Sequence, residues 1–139
     1  MKTYFTDGSC SPNPGPGGFA VILDGKPVAL GNEKDSTNIR MEAEALIAAM
    51  EHSDGDECEI HTDSEFWINV ITKWAPGWEA KGWKKSSKGE IQNLDLVKKA
   101  CALHKESNAK LVWVKAHAEN DGNELADTWA NKARKGASI

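Results

Sequence analysis

The sequence is poor in cysteine. Cys10, Cys58 and Cys101 are widely spaced and odd in number, with no C-x-x-C pair, so neither a disulfide framework nor a zinc site is indicated. No apolar run is long enough for a signal peptide or a membrane span, and no internal repeat, low-complexity tract or linker interrupts the chain. Excess charge of one sign is also missing: the formal net charge is −4, which argues against indiscriminate binding to nucleic acid. These absences point to one soluble domain over residues 1–139, kept in a reducing cytoplasm.

The present features begin with acids placed where acids are unexpected. Asp7, Glu42, Asp63 and Asp127 lie in separate segments, and each interrupts an apolar stretch instead of sitting in a solvated polar run. Singly, each has an ordinary reading: a turn residue, a charge near a helix N-terminus, an N-cap or a solvated helix position. Brought together, like charges raise one another's pKa and destabilise the fold unless a cation neutralises them. Convergence would therefore make this a metal-dependent enzyme.

The pattern shows how they could converge. Lys2 to Asp7 alternates as a strand that ends at the first acid. After the loop from Ser11 to Gly17, Phe19 to Leu23 meets Asp24-Gly25, a two-residue hairpin signal, and Val28 to Leu30 returns. Ile39, Ala43, Leu46, Ile47 and Met50 give a helical stripe over Ile39 to His52, capped by Asn38 or Thr37, with Glu42 in its first turn. Glu59 to Asp63 reads as a short strand, and Glu65 to Trp74 as a helix stopped by Ala75-Pro76-Gly77. Ile91 to His104 reads as a helix, Lys110 to Val114 as a buried strand, and Asn123 to Arg134 as an Ala-rich helix. The order βββαβααβα predicts an α/β fold, a mixed sheet with helices on both faces. Trp67, Trp113 and Trp129 fit core positions, while His52, His61 and His104 read as surface or packing residues.

One local charge asymmetry stands out. Between Lys73 and Lys88 lie Lys81, Lys84 and Lys85 against the single acid Glu79, with Trp74, Trp78 and Trp83 interleaved. Cations for phosphates and flat rings for sugars or bases are combined there.

The chain resembles ribonuclease HI, the type 1 ribonuclease H of bacteria, from about Lys2 to Arg134. The motifs that carry the resemblance are Thr6-Asp7-Gly8-Ser9-Cys10 with Asn13-Pro14-Gly15-Pro16-Gly17-Gly18, Thr37-Asn38 with Arg40-Met41-Glu42, Thr62-Asp63-Ser64, Val114-Lys115-Ala116-His117, and Gly122-Asn123-Glu124 leading to Asp127. The resemblance implies a ribonuclease H-like fold with a five-stranded mixed sheet. It also implies an endonuclease that cuts the RNA strand of an RNA–DNA hybrid and leaves 3′-hydroxyl and 5′-phosphate ends. By similarity to the family, Asp7 bridges two Mg²⁺ ions, Glu42 and Asp127 hold separate ions and Asp63 helps position them, with Mn²⁺ a possible substitute. His117, on a loop near the acids, is an aid to proton transfer or product release.

The same resemblance assigns the substrate contacts. Gly8, Ser9, Cys10, Asn13, Asn38 and Glu65 occupy positions that meet the RNA or the minor groove, where a 2′-hydroxyl distinguishes RNA from DNA. Cys10 is expected to act through its backbone. Thr37 and Trp74 are expected to meet the DNA strand, and Asn123 to face the groove, while Trp78, Lys81, Trp83, Lys84 and Lys85 belong to the basic segment. Glu65 stands where glutamine is common, Ala116 replaces a usual glycine, and Glu119 stands where glycine is frequent. A monomer without an obligate protein partner is expected. Two other readings use the same residues: a recombinase, transposase or proofreading nuclease with similar acids, and a module that holds hybrids without cutting.

Overall fold

The computed structural model describes residues 1–84, 90–116 and 120–139. Lys85 and His117, both expected to be functional, lie outside the described residues. The chain forms one five-stranded sheet in the order β3-β2-β1-β4-β5, built from β1 (Lys2–Cys10), β2 (Gly15–Leu23), β3 (Lys26–Ser36), β4 (Glu57–Thr62) and β5 (Asn108–Trp113). β1, β2 and β3 are antiparallel, while β4 pairs parallel to β1 and β5 parallel to β4. The expected mixed sheet is therefore present, with its opening meander intact. Asp24 (φ 53°) and Gly25 (φ 76°) both adopt positive φ between β2 and β3, the conformation a two-residue hairpin needs to match strand twist.

Two consecutive glycines show that helices cover both faces. A Cβ on Gly17 would lie 2.7 Å from the Met41 side chain of α1 (Asn38–Ser53), whereas one on Gly18 would lie 2.2 Å from the Arg134 backbone nitrogen of α5 (Asp121–Arg134). Adjacent strand residues point to opposite faces, so α1 and α5 sandwich the sheet. The larger core is on the α1 side, where Tyr4, Val21, Leu46, Ile60, Trp67, Val70, Ile71 and Cys101 are buried together. On the other face α5 presents the small buried residues Ala126, Ala130 and Ala133. All three cysteines are free and buried, as their spacing implied. Among the described residues no helix is long and apolar enough to cross a membrane.

Several boundaries differ from the sequence reading, each for a local reason. β1 does not end at Asp7 but runs on to Cys10, because β2 continues to pair with it as far as the Cys10↔Gly17 position. Helix α1 starts at Asn38, capped by the Thr37 hydroxyl, which accepts from the Arg40 N–H at 3.1 Å, and so Glu42 falls in the second turn. The segment after Asp63 is not stopped at Ala75-Pro76-Gly77. α2 (Glu65–Asn69) passes through a π turn at Val70–Trp74 into α3 (Ala75–Ala80). The Ala75 N–H reaches back five residues to the Val70 carbonyl, and Pro76, which has no N–H to donate, follows in the first turn of α3.

Helix α4 (Leu94–Glu106) begins later than the apolar spacing indicated, after Asn93 in a left-handed conformation (φ 56°) that asparagine tolerates. Ile91 is buried yet belongs to the approach and not to the helix. β5 is an edge strand, not a buried one, and Trp113 is 50% exposed where a core position was expected. Trp67 is fully buried as expected, and Trp129 is half-buried with the Lys132 ammonium 4.5 Å from its ring centroid.

Gly18→Ala is expected to destabilise the protein by about 2–4 kcal/mol, because the atoms it meets are backbone and cannot step aside. Gly77→Ala, in α3 with nothing within 4 Å, is expected to be neutral or stabilising by up to about 1 kcal/mol. Urea titrations of the two variants check the contrast; equal effects would mean that α5 does not dock this closely.

Candidate active site

The parallel register of β1 and β4 builds the centre of the site. Phe5 pairs with His61, and two residues further along each chain stand Asp7 and Asp63. β4 stops at Thr62 while β1 runs on, so a notch opens beside Asp7 at the point where its parallel partner ends. The Thr6 hydroxyl donates to the His61 carbonyl at 3.4 Å across the same joint.

Glu42 arrives from above. A Cβ on Gly8 would lie 2.4 Å from the Glu42 backbone nitrogen and 2.5 Å from the Met41 carbonyl carbon, so α1 crosses β1 in direct backbone contact next to Asp7. Only glycine permits that approach. As a result Asp7, Glu42 and Asp63 each offer a carboxylate oxygen within 4.8 Å of the others. Asp127 comes from α5 on the opposite face, and its carboxyl hydrogen-bonds that of Asp7.

The electrostatics follow from this crowding. Asp7 is 6% exposed, and its carboxyl is pushed up to about 9, first by burial and then by the charges of Asp63 and Asp127, although the Gly8 N–H donates to its Oδ1 at 2.9 Å. Glu42 is raised to about 7, again by burial first and Asp63 second, with the Ser64 hydroxyl opposing the shift. A proton shared among buried like charges is a substitute for a missing cation. Hard oxygen donors at this spacing fit a divalent ion of the magnesium or calcium type and carry neither the nitrogen nor the sulfur that zinc prefers.

The other expected residues fall in two groups. Gly8, Ser9 and Cys10 follow Asp7 on β1. The Cys10 thiol lies 3.2–3.3 Å from the carbonyls of Pro12, Gly15 and Ser36 and pins the loop that carries Asn13. Asn13 Oδ1 accepts from the Asn38 N–H at 3.2 Å, so Asn13, Thr37 and Asn38 form one cluster at the start of α1. Glu65 is exposed in the first turn of α2. Asn123, in the first turn of α5, is 3% exposed, and its Oδ1 has no partner among the described residues.

The second group lies along α2, the π turn and α3. Trp74 is 43% exposed, with its ring centroid 6.4 Å from that of Trp78 and 6.1 Å from that of Phe66. Lys81 and Lys84 are exposed, whereas Trp83 is half-buried against the core beneath Lys98. Glu79, the acid that interrupts the basic run, is ion-paired with Lys105 of α4.

The sequence reading missed Phe66, Asn131 and Arg134. Phe66 is 48% exposed beside Trp74, and nothing in its local sequence pattern singles it out. Asn131 is four residues after Asp127 and donates to its carbonyl at 3.1 Å, a helical spacing that could have flagged it.

The RNase H family model matches residues 1–135. The chain belongs to the RNase H family. It is 41% identical over 140 residues to ribonuclease HI of Caulobacter vibrioides, covering 98% of this chain and 94% of that protein. Ribonuclease H of Methylorubrum extorquens is 39% identical over 99% of the chain, which spans 62% of that protein's length. In structure, LC9-RNase H1, a type 1 RNase H with the type 2 active-site motif, superposes with a TM-score of 0.84 at 26% identity over 99% of this chain and 73% of that one. As a member of this family the chain is a metal-dependent ribonuclease, and the acidic cluster is compatible with the metal.

Acids whose folded-state pKa is raised bind extra protons in the native state, so their contribution to stability is greatest at low pH. It is lost as pH rises, for Glu42 from 4.5 through about 7 and for Asp7 from 3.8 through about 9. In EDTA the unfolding temperature is therefore expected to fall between pH 5 and pH 9. Asp7→Asn should raise metal-free stability at pH 8 by on the order of 2 kcal/mol. A flat profile, or a variant less stable than the parent, would contradict the crowding described above.

Proposed function

We propose that this chain is an endoribonuclease that hydrolyses the RNA strand of an RNA–DNA hybrid, leaving 5′-phosphate and 3′-hydroxyl ends. The observation that carries the reading is the convergence of Asp7, Glu42 and Asp63 within 4.8 Å in a chain of the RNase H family. In this reading Asp7 would be the ligand common to two Mg²⁺ ions, Glu42 and Asp127 would each hold one, and Asp63 would help position them, with Mn²⁺ able to substitute. When bound, such ions supply an activated water and charge stabilisation at the leaving 3′-oxygen of an in-line displacement.

The protein's own groups do the rest. Gly8, Cys10, Asn13, Asn38, Glu65 and Asn123 surround the acids and meet the RNA backbone and minor groove, and Ser9 meets them through its backbone alone. Thr37 and Trp74 take the DNA strand, a phosphate on the first and a deoxyribose on the second. Lys81, Lys84 and Lys85, with Trp78 and Trp83, extend the surface along the duplex. The pairing of Glu79 with Lys105 removes an acid that would otherwise repel the phosphates. His117 aids proton transfer or product release. The chain works as a monomer in the cytoplasm, where its buried thiols stay reduced.

A gel assay on a hybrid labelled separately on each strand tests this. Internal cuts in RNA alone are expected with Mg²⁺ and none with EDTA or with Asp7→Asn, while His117→Ala should lower turnover by about 10²-fold yet leave activity. Cleavage of DNA, or binding without any cleavage, would overturn the assignment, and complete loss in His117→Ala would overturn the ranking of the two residues.

A further inference from the structure

Asp7 and Asp127 meet across the pocket from different elements, a strand and a helix packed on its opposite side from α1. Beside them the buried apolar residues of α5 are small, Ala126, Ala130 and Ala133. A polar bridge joins the same two elements close to the acids. Ser9, two residues after Asp7 and so on its face of β1, donates its hydroxyl to Asn131 Oδ1 at 2.7 Å. Arg134 Nε donates to the same Ser9 oxygen at 3.3 Å, and its guanidinium also reaches Asn131 Oδ1 at 3.4 Å.

Asn131 then closes the connection. Its Nδ2 donates to the backbone carbonyl of Asp127 at 3.1 Å, one helical turn earlier. The single hydrogen of the Ser9 hydroxyl is spent on α5, and the amide of Asn131 uses both its oxygen and its nitrogen in the bridge. Ser9 therefore has no side-chain donor left for a nucleic acid, which separates its role from that of a direct substrate contact.

We propose that Asn131 and Arg134, acting through Ser9, are positioning residues that hold α5 against β1 and so keep Asp127 and Asp7 at a spacing that one divalent cation pair can bridge. This rests on the reading of Asp7 and Asp127 as metal ligands. Their action is on the ligands and not on the hybrid. Loss of the bridge should weaken metal binding and turnover and leave hybrid affinity alone.

The test is a double-mutant cycle on the full chain with two readouts: Mg²⁺ affinity of the substrate-free protein by calorimetry, and kcat and KM on a hybrid. Ser9→Ala and Asn131→Ala are each expected to weaken Mg²⁺ binding and to lower kcat by about tenfold, with KM within about twofold. The double variant should be no worse than either single, because both remove the same bond. Ser9→Thr, which keeps the hydroxyl, should retain Mg²⁺ affinity and guards against a folding defect in the alanine variants. A raised KM with unchanged Mg²⁺ affinity in Ser9→Ala, multiplicative losses in the double variant, or equal damage from Ser9→Thr would each overturn the proposal. A parent protein that binds Mg²⁺ but leaves hybrids intact would refute the proposed function instead, and the calorimetric arm would still decide the bridge.

Discussion

The fold is organised around an unfavourable act, the gathering of carboxylates around the buried Asp7. Burial and the neighbouring acids push the carboxyls of Asp7 and Glu42 up, so that holding them here favours a proton or a cation among them. The surrounding architecture supplies the force that holds them. Parallel pairing of β1 with β4 fixes Asp7 beside Asp63, backbone contact at Gly8 fixes Glu42 over both, and α5 brings Asp127 from the far face. Each support is made of main chain or of fully buried side chains, the stiffest material a protein has.

On the proposed function, the same arrangement would separate chemistry from grip. The acids sit at the end of β4, in rigid structure, whereas the aromatic and cationic residues lie on α2, the π turn and α3, partly outside the core. The π turn has a physical consequence here: by widening the helix for one turn it carries the chain past Pro76 and exposes Trp74 on the way to Lys81. A negatively charged chain can present a local cationic surface in this manner, with Glu79 held by Lys105.

What was legible in the sequence was what depends on local pattern. The Asp24-Gly25 turn, the meander, the helical stripe of α1 and the acidic motifs were all visible because period and turn chemistry are written in neighbouring residues. Trp113 was misplaced because hydropathy does not tell an edge strand from a central one. Pro76 was read as a stop because an i→i+5 hydrogen bond leaves no periodic trace. Ser9 was assigned to substrate alone because its partners, Asn131 and Arg134, lie 122 and 125 residues away along the chain.

The metal-free pocket is expected to hold a proton among its acids, chiefly on Asp7, and to surrender it when a divalent ion enters. The direct measurement is calorimetry of Mg²⁺ binding at pH 7 in buffers of different ionisation enthalpy, which reports the protons released per ion. Release of between about one and two protons per ion by the parent protein, from Asp7 and in part from Glu42, is the predicted result. Binding with no proton release in the parent would show that the carboxylates are already ionised and that crowding is not what governs the site.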